Sequence, residues 1–426
     1  MKNQDYSYEV FPKVLKVGKK VTVTIRPKYD HAAVKEGHTY TLLLSERETY
    51  VKNEIPLVIR NGAIKVTFTP DKEQEYTIVL TDSWENNGPR SVRTEFCLYA
   101  VEKDLFNCRP WKGDFHLHSC RSDGKESPVF VASNYRWAGF DFFALTDHHR
   151  YAPSLEVVEA FKKLDTDFRV FPGEEVHPPR NCVHHINFGG SFSVNDLHRQ
   201  SEQYEKEVAA IQKKIKIPYL KGDDLYRFAS SRWVFQKIRE AGGISILCHP
   251  YWITGDHFNV SEALLRAFFE TGEFDAFELI GGFWKHQAEA NALQVSLWSE
   301  QRAQGKRIPV VGISDSHGTV NTGLFNWYYT LVFAPSCEFA DLSEAIRAER
   351  SVAVHAIEEE APQLHGRFRY VKFAYFCLRE ILPLHHEECA EEGRLMMKHF
   401  AGDRSAAKMI SLCRNRVAEL YKKLWA

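Results

Sequence analysis

Along its first hundred residues the chain sets short β-branched or alternating runs between turn residues. Val21-Thr22-Val23-Thr24-Ile25, Tyr40 to Leu44, Ile64-Lys65-Val66-Thr67-Phe68 and Tyr76 to Leu80 carry this pattern, which predicts half-buried strands. Asn61-Gly62, Pro70-Asp71 and Asn86-Asn87-Gly88-Pro89 fall between the runs, and these residue types favour tight turns. Residues 1–106 are therefore expected to form a small antiparallel β-sandwich. No part of this segment has the look of a site.

From about Asn107 the period changes. A helical stretch, Pro128 to Ala138, precedes the apolar run Phe140-Asp141-Phe142-Phe143-Ala144-Leu145. Strand and helix alternate in this way to Val354, which argues βαβ units around a parallel sheet or barrel. A charged insertion, Val194 to about Leu225 with a helix-like Glu202 to Lys216, interrupts the alternation before Arg232 to Glu240 resumes it. It reads as a solvated surface helix in preference to a lid. After His365 the chain favours helix: Phe368, Val371, Tyr375, Leu378 and later Met396, Ile410, Val417 and Leu420 are spaced to form a buried stripe. The expected organisation is α/β: the N-terminal sandwich, a domain over residues 107–360, and a helical appendage over 361–426.

Composition narrows the function classes. The 426 residues carry 55 Lys+Arg against 56 Asp+Glu, so no global field favours nucleic acid or an anionic membrane. No run approaches the ~18 apolar residues of a membrane span, and no signal-like segment follows Met1-Lys2-Asn3-Gln4-Asp5-Tyr6. Nine cysteines without a CxxC pair suit reduced thiols. The expectation is a cytoplasmic protein acting on a small molecule.

Candidate metal ligands sit at the ends of predicted strands, where an α/β barrel gathers its functional loops. In Asp114-Phe115-His116-Leu117-His118, strand alternation turns His116 and His118 to one side, so two imidazoles can meet one ion. Ser122-Asp123-Gly124 follows, then Thr146-Asp147-His148-His149, Gly173-Glu174-Glu175-Val176-His177, His184-His185-Ile186-Asn187, Cys248-His249-Pro250 and Ser314-Asp315-Ser316-His317. Asp315 and His317 repeat the same-face spacing. Mixed imidazole and carboxylate donors suit zinc, manganese or iron, and a bridging carboxylate is the usual way to hold two such ions. His385-His386-Glu387-Glu388 looks similar but lies in the helical tail and is expected to be a solvated face.

These motifs, in this order over residues 111 to 355, resemble those of PHP (polymerase and histidinol phosphatase) phosphoesterases, nearest the branch that includes carbamate hydrolases. Lys112-Gly113-Asp114, Thr330-Leu331-Val332-Phe333-Ala334 and Arg350-Ser351-Val352-Ala353-Val354 mark that branch. The resemblance implies a distorted seven-stranded (β/α) barrel holding two or three divalent ions. One ion takes His116, His118, Glu175 and Asp315. A second shares Glu175 and adds His249 with one of His184 and His185. A third takes Asp123, His148 and His317. Glu175 is chosen over Glu174 because it stands two after the glycine, and His185 over His184 because of its offset from Asn187.

The implied reaction is hydrolysis of a small phosphomonoester or phosphodiester by metal-activated water. Glu175 is central, His149 or His177 is the candidate general acid, and Arg121, Arg150 and Lys285 are candidate phosphate contacts. Glu278 reads as either a supporting residue or barrel filling. A carboxylic or carbamic ester hydrolase using the same ions is the nearest rival, and a non-catalytic binding scaffold is the second. No GxSxG elbow supports a nucleophilic serine, and Cys248 reads as metal-adjacent.

Overall fold

A computed structural model of the protein describes residues 6–85 and 89–426. It divides into two compact units. The first comprises Met1–Arg109, Lys372–Glu388 and Asn415–Ala426; the second comprises Pro110–Val371 and Cys389–Arg414.

In the first unit the four expected strands form as Val21–Pro27, Thr39–Glu46, Ala63–Phe68 and Gln74–Glu85. They are joined by strands too short or too polar to stand out in the sequence, such as Lys52–Ile55 and Val58–Arg60. Val21–Pro27 pairs antiparallel with Ala63–Phe68, setting Val23 against Val66 and Ile25 against Ile64. Gln74–Glu85 pairs antiparallel with Pro89–Val101. The strands lie in a four-stranded and a five-stranded sheet. Both contribute to one buried cluster, Val23, Ile25 and Ile64 from the first meeting Leu42, Ile78 and Phe96 from the second. Asn61-Gly62, with φ of 50° and 71°, makes a two-residue hairpin between Arg60 and Ala63, the positive-φ turn that matches strand twist. Asn86-Asn87-Gly88 lies outside the described residues. His385 departs from the expected solvated face. It is 1% exposed and its ring stacks 5.8 Å from Tyr421, because the helix Leu382–Phe400 turns this position inward.

The second unit holds a six-stranded sheet, in the order Arg169–Phe171, Phe142–Ala144, Arg109–Asp114, Tyr328–Ala334, Ser351–His355, Gln363–Gly366. A five-stranded sheet runs Gly173–Val176, His185–Phe188, Ile244–Leu247, Ala276–Ile280, Val310–Gly312. Parallel pairs occur where helices intervene, as between Arg109–Asp114 and Phe142–Ala144 and between Ile244–Leu247 and Ala276–Ile280. Antiparallel pairs join Gly173–Val176 to His185–Phe188 and the latter to Ile244–Leu247. The two sheets share an apolar interior in which Phe115 and Phe142 meet Phe188, Ile246 and Val311, with Phe115 stacked 4.4 Å from Phe188. Isolated bridges Leu117↔Ser316 and His148↔Glu175 tie the ends of strands in one sheet to those in the other, so the strand ends that carry the motifs converge.

The charged insertion is packed. Its helix Ser201–Gln212 buries Tyr204 and Val208 against Tyr226, Trp233 and Val234, a narrow apolar stripe on an otherwise polar helix. Among the described residues no helix is long and apolar enough to cross a membrane.

One buried ion pair holds the C-terminal segment of this unit. Arg136 on the helix Pro128–Trp137 donates from Nε to Glu392 at 2.5 Å, Thr166 donates to the other Glu392 oxygen at 2.7 Å, and both charged side chains are about 2% exposed or less. Removing one partner strands a buried charge, at a cost of about 3–5 kcal/mol, whereas replacing both with apolar residues is often neutral. We therefore expect Glu392→Ala to lower unfolding free energy by that amount in urea denaturation, and the pair Arg136→Met with Glu392→Leu to recover most of the loss.

Candidate metal centre

The centre is built on strand ends that alternate sharply between core and cavity. Phe115 and Leu117 are fully buried, Phe115 within the apolar interior, while the alternating His116 and His118 turn their rings to Glu175 and Asp315. The backbone here is clamped to its neighbours: Asp315 N–H donates to His116 O at 2.7 Å and His118 N–H to Ser316 O at 2.8 Å. Asp315 holds a φ of 53°, a left-handed conformation that costs a non-glycine residue energy and is common at sites. Asp147 is no ligand. Its carboxylate accepts from Ser119 N–H at 2.8 Å, Ser119 Oγ at 2.7 Å and Ser122 Oγ, and so folds the loop that delivers Asp123.

Glu174 and Glu175 are separated by the same alternation. Glu174 points to one side, where its carboxylate accepts from Asn187 Nδ2, Ser193 Oγ, Val194 N–H and Asn195 Nδ2 at 2.6–3.0 Å. Glu175 points to the other side and is the hub. Its oxygens lie 2.6 Å from His148 Nδ1, 2.8 Å from His184 Nδ1, 3.3 Å from His177 Nε2, 3.5 Å from His116 and His118 Nε2, and 3.7 Å from His249 Nε2. Asp315 Oδ1 is 2.9 Å from His118 Nε2 and 3.2 Å from His116 Nε2. At the open side, Asp123 Oδ2 lies 3.3 Å from His317 Nε2 and 3.5 Å from His148 Nε2.

These donors fall into overlapping groups whose ligand atoms lie within 4.8 Å of one another. They are His116/His118/Glu175/Asp315, Glu175/His184/His249, His118/Asp123/His148/His317, His148/Glu175/His177 and His116/His249/Glu278. The fit to divalent cations rests on what the donors lack. Glu175 Oε1 and Oε2, His116 Nε2, His118 Nδ1, His184 Nδ1 and both His249 ring nitrogens are buried without a hydrogen-bond partner. A buried polar atom left unpaired costs about 1–3 kcal/mol. Several of these atoms are close to one another yet misaligned for hydrogen bonding, the arrangement of groups that converge on a shared cation.

Electrostatics point the same way. Burial would raise the Glu175 carboxyl, but His148, His177, His116 and His184 reverse this and hold it well below the usual range. Asp315 is likewise kept ionised against its burial by His116 and His118. Burial pushes the His118 and His184 imidazoles down, to about 4 and about 3, and so keeps them neutral. His148 behaves oppositely: burial opposes its charge, but Glu175 and Asp123 prevail and raise it to about 10. Burial and Glu278 lift the Cys248 thiol well above its ordinary value, which leaves it unreactive.

The structure separates the two adjacent histidines differently from the expected choice of His185. His184 precedes the strand and turns to Glu175, whereas His185 is the first residue of His185–Phe188, pairs with Val176, and lies fully buried with Nδ1 3.3 Å from Val176 O and its ring 5.1 Å from Phe235. His177 sits among the donors, its ring 4.0 Å from His184. His149 is exposed at a φ of 58°, with its ring 4.6 Å from His177. The expected cations lie outside the cluster. Arg121 is exposed and paired with Glu156 at 2.8 and 3.0 Å, Lys285 is 3.3 Å from Glu360, and Arg150 is exposed. A cation not singled out in the sequence stands nearer: Lys125 donates its N–H to His317 O at 2.9 Å, and its exposed side chain runs beside Gly318.

No protein-family model matches the sequence, and no curated protein matches it. Solved structures that resemble the chain include PHP-like metal-dependent phosphoesterases. One is a two-domain protein of Bacteroides vulgatus containing a PHP-like metal-dependent phosphoesterase, 17% identical with a TM-score of 0.40, the match covering 59% of this chain and 66% of that one. The chain thus spans just under two thirds of that protein. A second, named as a metal-dependent phosphoesterase of Bifidobacterium adolescentis, is 17% identical over 50% of this chain and 90% of its own, with a TM-score of 0.33. An amidohydrolase of Chromobacterium violaceum is 16% identical over 48% and 87%, with a TM-score of 0.31.

The raised His148 gives a pH prediction. An imidazole binds metal only when neutral at the ligating nitrogen, so loading at pH 7 must displace the proton His148 holds. Calorimetry in buffers of different ionisation enthalpy is expected to show net proton release on metal binding, and affinity should fall as pH falls. Metal uptake without proton release would contradict this.

Proposed function

We propose that the chain is a PHP-type metal-dependent hydrolase, cytoplasmic, that cleaves a small phosphate ester. The two sheets of the second unit are read as a distorted (β/α) barrel, and the first unit as a β-sandwich. The observation that carries the reading is the Glu175 carboxylate, fully buried, with neither oxygen hydrogen-bonded and six imidazoles within 4 Å.

In this reading His116, His118, Glu175 and Asp315 hold one ion, Glu175, His184 and His249 a second, and Asp123, His148 and His317 a third. Divalent ions bound there would supply Lewis-acid activation of water and neutralise charge on the substrate's oxygens. Glu175 belongs to both of the first two groups, so it would be shared between their ions. Asp315 Oδ1 and His118 Nε2, 2.9 Å apart, would face the first ion together. The rim is most open at Asp123 and His317, with side chains 57% and 36% exposed, so substrate enters there. Lys125, which forms no ion pair among the described residues and whose side chain runs beside Gly318, next to His317, stands on that side to meet an anionic ester. His177 is the proton donor to the leaving group, because it lies among the donors while His149 is turned to solvent.

Two experiments test this. Purified protein loaded with Zn2+, Mn2+ or Fe2+ should release phosphate from model mono- or diesters, and His116→Ala or Asp315→Ala should reduce turnover to background while the protein stays folded. Release of alcohol from carbamates with no phosphate release from any ester would overturn the phosphoesterase reading in favour of the rival ester hydrolase. His177→Gln should slow esters of poorly activated alcohols by about 10²–10⁴-fold, the range of general acid catalysis, and leave nitrophenyl esters nearly unchanged. Equal losses on both would remove His177 from that role.

A further inference from the structure

Glu278 is a carboxylate in the middle of the apolar run Ala276-Phe277-Glu278-Leu279-Ile280, with no exposure, and the ligand assignment above leaves it without a role. An ionised side chain is not buried in an apolar strand without compensation. Its Oε2 accepts from His116 Nδ1 at 2.9 Å, and its Oε1 has no partner.

The local backbone is shaped to aim this residue. Pairing with Val310–Gly312 shifts register between Glu278 and Ile280, an irregularity of the kind that redirects a side chain beside a site. The freed carbonyls are taken up from the helix Ala288–Ala303: Gln294 Nε2 donates to Glu278 O at 3.1 Å and to Leu279 O at 3.0 Å. From the same helix Asn291 Oδ1 accepts from Gly281 N–H at 3.0 Å. Gly281 itself has a φ of 151°, and a Cβ there would lie 1.7 Å from Ile313 O, so only glycine closes the turn that follows.

We infer that Glu278 is a positioning residue, holding His116 with Nδ1 as hydrogen-bond donor and Nε2 presented to a divalent cation shared with Glu175 and Asp315. The inference rests on the metal centre proposed above. In an imidazole, the nitrogen bonded to a carboxylate keeps its proton, so the other keeps its lone pair and gains basicity as a ligand. His116 meets this condition. Its Nε2 is buried without a hydrogen-bond partner, 3.2 Å from Asp315 Oδ1 and 3.5 Å from Glu175 Oε2, on the ring edge away from Glu278. Glu278 also shares a donor group with His116 and His249, so direct ligation is the alternative the test must separate.

The test measures Zn2+ affinity of the full chain by chelator competition for wild type, Glu278→Leu and Glu278→Gln. Proton–nitrogen spectra of the Zn2+-loaded histidine rings accompany it. Glu278→Leu is expected to bind Zn2+ about 10–100-fold more weakly, the usual loss for such a partner, and to lose the protected ring N–H resonance of His116. Glu278→Gln keeps an acceptor oxygen, so it should retain that resonance and recover most of the affinity. Affinity within about twofold of wild type in Glu278→Leu, far below the loss such partners show, would overturn the inference. Equal losses in Leu and Gln would also overturn it, in favour of direct ligation. Wild type that binds no Zn2+ at all would instead fail the metal centre itself, and this inference with it.

Discussion

The second unit is organised around a carboxylate that protein groups alone do not satisfy. Glu175 has no exposure and no hydrogen bond to either oxygen, yet imidazoles from five separate motifs crowd around it. Folding would not retain such a group if it only had to be buried, since replacement by an apolar residue would relieve the cost. The histidines hold the Glu175 carboxyl down, yet both of its oxygens and several of their own ring nitrogens are left without a hydrogen bond. A divalent cation resolves both problems at once, taking lone pairs that otherwise have no acceptor. The rest of the arrangement follows from having to hold these donors apart and facing inward.

The scaffold does this with rigid contacts just outside the donor set. Glu174 satisfies five donor groups on the far face of its strand, which fixes the rotation of Glu175 beside it. Asp147 folds the loop that carries Asp123, and the hydrogen bonds between His116, His118 and the Asp315–Ser316 backbone lock two motifs nearly 200 residues apart in sequence. Asp114 completes this layer. Burial raises its carboxyl to about 6 against the bonds from Ser314, Tyr135 and His116 N–H, so it is a costly group that orders the strand end from behind. The donors grade from fully enclosed His116 and His118 to open Asp123 and His317, an order suited to tightly held ions at the base and exchangeable chemistry at the rim.

Much of this was legible in the sequence because it depends on local periodicity. His116/His118 share a face by strand alternation, and the same rule parts Glu174 from Glu175. Turn chemistry placed Asn61-Gly62 correctly. What could not be read depends on where elements begin or on distant neighbours. His184 lies before its strand starts, so period-two reasoning favours neither it nor His185. Arg121 and Lys285 look like free cations until Glu156 and Glu360, 35 and 75 positions away, are folded beside them. Glu278 is one acid in an apolar run, and only the register shift opposite Val310–Gly312 reveals its direction. His385 was misjudged for a related reason: a helix's exposed and packed faces are set by what lies against them.

The most direct test of the central claim is anomalous X-ray diffraction from crystals of the purified protein, recorded at the absorption edges of zinc, manganese and iron. At least two anomalous peaks are expected beside the Glu175 carboxylate, one ringed by His116, His118 and Asp315 and another by His184 and His249. Absence of any peak in protein supplied with these metals, with Glu175 instead hydrogen-bonded directly to the surrounding imidazoles, would contradict it.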